Sequence, residues 1–157
     1  MLQLYPFQND GVRHLYRRNA ILCDEPGLGK TVQACVAWRD APGPVLVVTN
    51  MRHKLFWGSH VINWADVPSE RLWITGTGGA LDWDNFDTAV KVDPRQWVIT
   101  HWQATSMVSH QNALLNHTWG VAIIDEAHRM RDHSTLCGRF LTFKLHADYW
   151  SFLTATI

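Results

Sequence analysis

Six short runs of apolar residues punctuate the chain: Ala20–Cys23, Val45–Thr49, Leu72–Thr75, Trp97–Thr100, Val121–Ile124 and Trp150–Thr154. Each is continuous rather than alternating and rich in Val, Ile or Leu. That pattern predicts strands covered on both faces, as in a parallel sheet. Longer amphipathic stretches lie between them and predict helices over 8–18, 30–39, 51–64, 103–117 and 135–146. The first places Val12, Leu15 and Tyr16 on one face; the third puts Leu55, Phe56, Val61 and Ile62 near one another. The segment Gly76–Asp87 breaks the rhythm, and its glycines and three aspartates read as a loop with a solvated acidic face. Strand and helix alternate throughout, which predicts a doubly wound α/β fold with a mostly parallel central sheet and helices on both faces.

Composition narrows the class. The 157 residues are 46% apolar and 18% charged, enough for one domain with a real core and too apolar for a disordered chain. Fourteen basic residues balance fourteen acidic ones, so no overall positive field draws in nucleic acid. No run reaches the roughly 20 apolar residues of a membrane span, and the amino terminus lacks the layout of a signal peptide. Three cysteines without CxxC spacing suit reduced thiols, with Cys23 expected in the core. The expected compartment is the cytoplasm (bacterial or viral context) or the nucleus, not the secretory route. Nine histidines show no metal-ligand spacing, which argues against zinc. Of the nine tryptophans, Trp73, Trp97, Trp119 and Trp150 lie in or beside strand runs and are expected to pack the core.

The chemistry concentrates in two places. Asp24-Glu25-Pro26-Gly27-Leu28-Gly29-Lys30-Thr31 stands between a strand and a helix. Glycines there let backbone N–H groups wrap a phosphate, and a helix N-terminus favours its charge. Lys30 would reach the β- and γ-phosphates and the Thr31 hydroxyl would ligate Mg²⁺. Asp24 occupies the position of the first glycine in the generic loop, and a plain tight turn is the competing reading. The second place is Asp125-Glu126-Ala127-His128, at the end of an apolar strand. Strand C-termini line the ligand crevice of such sheets, so Asp125 would hold Mg²⁺ and Glu126 would orient or deprotonate water. The competing reading is a helix cap or loop start.

These residues resemble the Swi/Snf-type helicase-like ATPases of superfamily 2. Asp-Glu-x-Gly-Leu-Gly-Lys-Thr, with Asp24 in the glycine position, is similar to that family's motif I, and the Asp125–Asp132 segment to motif II, a DEAH box. Leu4–Val12 resembles the opening segment, where the resemblance assigns adenine recognition to Gln8; a helix-start glutamine without a role is the alternative. Val45–Asn50 with Lys54–Trp57 resembles motif Ia, Trp97–Trp102 a later Val-Ile-Thr segment, and Phe152–Ile157 motif III, with Ala155 and Ile157 in place of Gly and Pro.

The resemblance implies the first RecA-like, ATP-binding lobe over 1–157, with a second lobe absent from this sequence and supplied in trans or by a longer chain. It implies ATP and Mg²⁺ as cofactors. It places Asp24, Glu25, Gly27, Leu28, Gly29, Lys30 and Thr31 around the nucleotide, with Lys30, Asp125 and Glu126 catalytic. His128, Thr154 and Thr156 would couple the motifs. Asn50, Arg52, His53, Lys54, Thr100 and His101 would contact the backbone of DNA, expected as a duplex; for Arg52 and Lys54 a solvated helix face competes. A strand-separating helicase lobe, favoured by Ala155, and a non-enzymatic nucleotide-binding or decoy module are the rival readings.

Overall fold

In the computed structural model, which describes residues 3–155, six strands form one sheet and every pairing in it is parallel. The strands are β1 (Asn19–Cys23), β2 (Val45–Thr49), β3 (Leu72–Ile74), β4 (Trp97–His101), β5 (Trp119–Asp125) and β6 (Ala147–Thr154), in the order β1-β6-β5-β2-β4-β3. The helices are α1 (Pro6–Leu15), α2 (Lys30–Ala37), α3 (Lys54–Trp64), α4 (Trp83–Val92), α5 (Val108–Leu115) and α6 (Leu136–Phe143). On one face α1, α2 and α3 bury Val12, Leu15, Ala34, Cys35, Trp57 and Val61 against Val45, Val47, Ile99 and Ile123. On the other, Phe86 of α4, Leu114 of α5 and Phe140 and Leu141 of α6 pack against Leu46, Val48, Val98 and Ile124. The expected parallel sheet with helices on both faces holds.

β2 and β4 are buried at every position, which is why their runs are continuously apolar. β1 differs. It lies at the sheet edge and alternates exposed with buried residues, so Ile21 and Cys23 face outward. Cys23 is therefore exposed rather than core, and Cys35 on α2 is the buried thiol, its pKa pushed well up by desolvation. Trp97 and Trp119 are fully buried, and Trp73 and Trp150 pack partly buried against the second cluster.

Three local expectations are corrected. Tyr16 caps α1 from outside the core, leaving Val12 and Leu15 to pack. On α3 the buried face is Trp57, Gly58 and Val61, while Leu55, Phe56 and Ile62 are exposed. The supposed loop ends at Asp82, where α4 begins. Trp83, Phe86 and Val90, three and four apart, supply its packing stripe. Its aspartates do separate jobs: the Asp82 carboxylate caps the helix by accepting from Asn85 N at 3.1 Å, and Asp87 accepts from His117 Nε2 at 2.7 Å. Among the described residues no helix is long and apolar enough to cross a membrane.

Candidate nucleotide site

The turn from β1 into α2 uses two left-handed residues, Gly27 (φ 85°) and Gly29 (φ 75°), a conformation other residues adopt only at a cost. Lys30 then opens α2, and its Nζ donates to the carbonyls of Asp24 (2.6 Å) and Glu25 (3.0 Å). The ammonium thus sits inside the loop's own curl, against neutral oxygens that an anion would replace with a stronger partner. Asp24 explains its presence in the glycine position: its Oδ2 accepts from Gln33 Nε2 at 3.2 Å, tying the loop to the first turn of α2.

Two buried amides converge on one carbonyl. Leu28 O accepts from Gln8 Nε2 (3.3 Å) and from Gln33 Nε2 (3.2 Å). Gln8 Oε1 also accepts from Tyr5 N at 3.0 Å, so its amide binds α1 to the glycine turn. Gly11 makes room for this, since a side chain there would collide with the Gln33 amide. Gln33 is a loop-supporting residue that the sequence did not single out; the only signal was its place one turn into α2.

Asp125 ends β5 and Glu126 follows with φ 54°, a strained conformation for a residue with a side chain. The Asp125 carboxylate accepts from Thr49 Oγ1 (2.7 Å) and Trp57 Nε1 (3.0 Å) on Oδ2 and from Glu126 N (3.0 Å) on Oδ1. Trp102 Nε1 donates to its backbone carbonyl at 3.2 Å. A cavity of about 530 Å³ brings Lys30 and Thr31 together with Asp125, Glu126 and His128. His128 Nδ1 meets Thr154 Oγ1 at 3.3 Å, linking the two strand ends. Thr156 lies outside the described residues. The far wall comes from α3 and the turn before it, where His53, Phe56 and His60 line the same space; sequence reasoning had placed His53 elsewhere and missed the other two. Gln8 lines a neighbouring hollow with Tyr5 and Trp64, and Val32 borders both.

The donors suit a magnesium ion held with a bound phosphate. Among the described residues no cluster of three or more His, Cys, Asp or Glu could hold a metal unaided. Mg²⁺ is usually bound by one or two carboxylates together with phosphate oxygens and water, and a carboxylate plus a hydroxyl is what Asp125 and Thr31 offer.

The expected DNA-facing residues divide. Arg52 and His53 are exposed, and the half-buried Asn50 uses its side chain to accept from Arg52 N at 3.1 Å. Half-buried Lys54 donates to Thr75 O, and desolvation lowers its pKa. Thr100 and His101 are corrected: both are buried, because β4 lies between β2 and β3 and is covered on both faces. Thr100 Oγ1 lies between Thr75 Oγ1 (3.2 Å) and His110 Nε2 (2.8 Å). Burial, and then the nearby Lys54 charge, lower the His101 pKa.

An all-parallel sheet with a glycine turn, a lysine and a carboxylate at the C-terminal ends of its strands defines a RecA-like α/β lobe. The chain belongs to the SNF2-related domain family, whose model matches residues 7–156. It is 30% identical over 145 residues to the transcription regulatory protein SNF2 of Saccharomyces cerevisiae, covering 88% of this chain and 8% of that protein. To the Bos taurus DNA excision repair protein ERCC-6-like it is 30% identical over 159 residues, covering 87% of this chain and 12% of that one. The chain therefore spans about a tenth of these relatives' length. Its fold is similar to the Sulfolobus solfataricus SWI2/SNF2 ATPase core solved in complex with dsDNA, with a TM-score of 0.78 at 21% identity, over 99% of this chain and 32% of that one.

Proposed function

We propose that residues 1–157 form the first, ATP-binding lobe of a DNA-dependent ATPase that translocates on duplex DNA and hydrolyses ATP when a second RecA-like lobe closes on it. The observation that carries this reading is the meeting of Lys30 and Thr31 with Asp125 and Glu126 in one cavity, although Lys30 and Asp125 are 95 positions apart in the chain. Backbone N–H groups of the Gly27–Gly29 turn and the α2 N-terminus cradle the phosphates, and Lys30 moves from its carbonyl partners to the β- and γ-oxygens. Thr31 and Asp125 hold Mg²⁺, which neutralises charge on the phosphates when bound. Glu126 positions the attacking water and takes its proton. Gln8, which lines the hollow adjoining this cavity at Val32, would read the adenine edge, and the His128–Thr154 contact connects the Asp125-Glu126 segment to the end of β6.

Phosphoryl transfer of this kind also needs an arginine finger, worth roughly 10³–10⁵ in rate. This lobe alone should therefore bind a fluorescent ATP analogue with Mg²⁺ but turn ATP over slowly and without stimulation by duplex DNA. Lys30→Ala should abolish binding. Glu126→Gln should keep binding and remove hydrolysis in the two-lobed assembly. Brisk, DNA-stimulated turnover by the chain on its own would overturn the division of labour between lobes.

A further inference from the structure

The Asp125 carboxylate is gripped asymmetrically. Oδ2 accepts two hydrogen bonds, from Thr49 Oγ1 at 2.7 Å and Trp57 Nε1 at 3.0 Å, while Oδ1 accepts one, from Glu126 N at 3.0 Å. A carboxylate oxygen has about two acceptor sites, so Oδ2 is saturated and Oδ1 retains one. Both donors to Oδ2 are fully buried and lie far from Asp125 in the chain, 76 and 68 positions away: Thr49 ends β2 and Trp57 lies in the first turn of α3. Packing explains a large ring at position 57 but not an indole, since phenylalanine would fill an apolar site. What tryptophan adds is the N–H, and a buried indole N–H ordinarily needs an acceptor. Here the acceptor is the carboxylate of the acidic box.

We propose that Trp57 and Thr49 are positioning residues that lock the Asp125 carboxylate so that Oδ1 is the oxygen offered to the nucleotide-bound Mg²⁺. The inference rests on the nucleotide reading above. Partners of this kind orient a ligating carboxylate, and losing one typically costs 10–100-fold in metal affinity. Removing the N–H frees the carboxylate to rotate while leaving the glycine turn and Lys30 untouched.

The test is a titration of the 157-residue chain with a fluorescent ATP analogue, once with Mg²⁺ and once with EDTA. Trp57→Phe should weaken binding on the order of tenfold with Mg²⁺ and leave the EDTA affinity unchanged. Thr49→Val should do the same, and Thr49→Ser, which restores the hydroxyl, should recover it. Equal losses with and without Mg²⁺, or no loss, would overturn the proposal. A second measurement needs no nucleotide: the ¹⁵N–¹H indole signal of Trp57, identified by its absence in Trp57→Phe, should shift in Asp125→Asn. A signal that ignores Asp125→Asn would refute the grip itself. If the wild-type chain binds no nucleotide under either condition, the nucleotide reading fails and this proposal falls with it.

Discussion

His110 shows how much of a residue's behaviour depends on its surroundings. It is buried under the β3–α4 connection, with Nε2 against Thr100 Oγ1, and desolvation, then the neighbouring His101, lower its pKa from 6.5 to about 4. His101 is shifted the same way. A histidine with a depressed folded-state pKa stays neutral in the fold while the unfolded chain takes up protons, so stability falls as pH drops from about 6.5 toward 4 and is flat above. The melting temperature should follow that course. His110→Gln, which cannot titrate, should flatten the acid limb in part, leaving the contribution of His101. An unchanged acid limb would show that His110 is charged in the fold. Nothing in the sequence marks this pair as buried; a histidine after an apolar strand looks as if it should be on the surface, and only the flanking strands bury it.

At the scale of elements, legibility tracked coverage. Central strands read correctly because both faces demand apolar residues, and the edge strand β1 was over-read for the same reason, since one of its faces is open. The glycine turn and the acidic pair at the end of β5 were legible because backbone geometry and strand-end placement dictate their residue types locally. Their supports were not. Gln33, Thr49 and Trp57 act through contacts across the fold, and nothing near them in the chain announces the partner. α4 was hidden because Gly76–Gly79 and the aspartates read as a single loop, although Asp82 is the cap that starts the helix. Asp82→Ala should cost about 1 kcal/mol, the usual value of a side-chain N-cap. Asp84→Ala, at an exposed position without a cap role, should stay within about 0.5 kcal/mol. Chemical denaturation of the two variants separates them, and equal losses would mean the acidic stretch acts only through its charge.

The whole molecule carries no net charge, so the proposed DNA contact has to come from a local edge. The structure thins that edge. Thr100 and His101 are buried and Lys54 is turned to Thr75 O, which leaves Arg52 as the exposed cation at the start of α3 with His53 beside it. Each phosphate neutralised by a protein cation contributes a slope of about −0.9 to log K against log salt concentration on duplex DNA. A lobe with one or two such contacts should bind duplex weakly, with a slope between about −1 and −2. Removing Arg52 should bring the slope about one unit closer to zero and weaken binding by a similar factor whatever the base sequence, because a phosphate contact carries no sequence information. Thr100→Val should leave the slope alone. Fluorescence anisotropy on a labelled duplex across a salt series measures all three. A wild-type slope steeper than about −4, or one indifferent to Arg52→Ala, would place the duplex on another surface of the lobe.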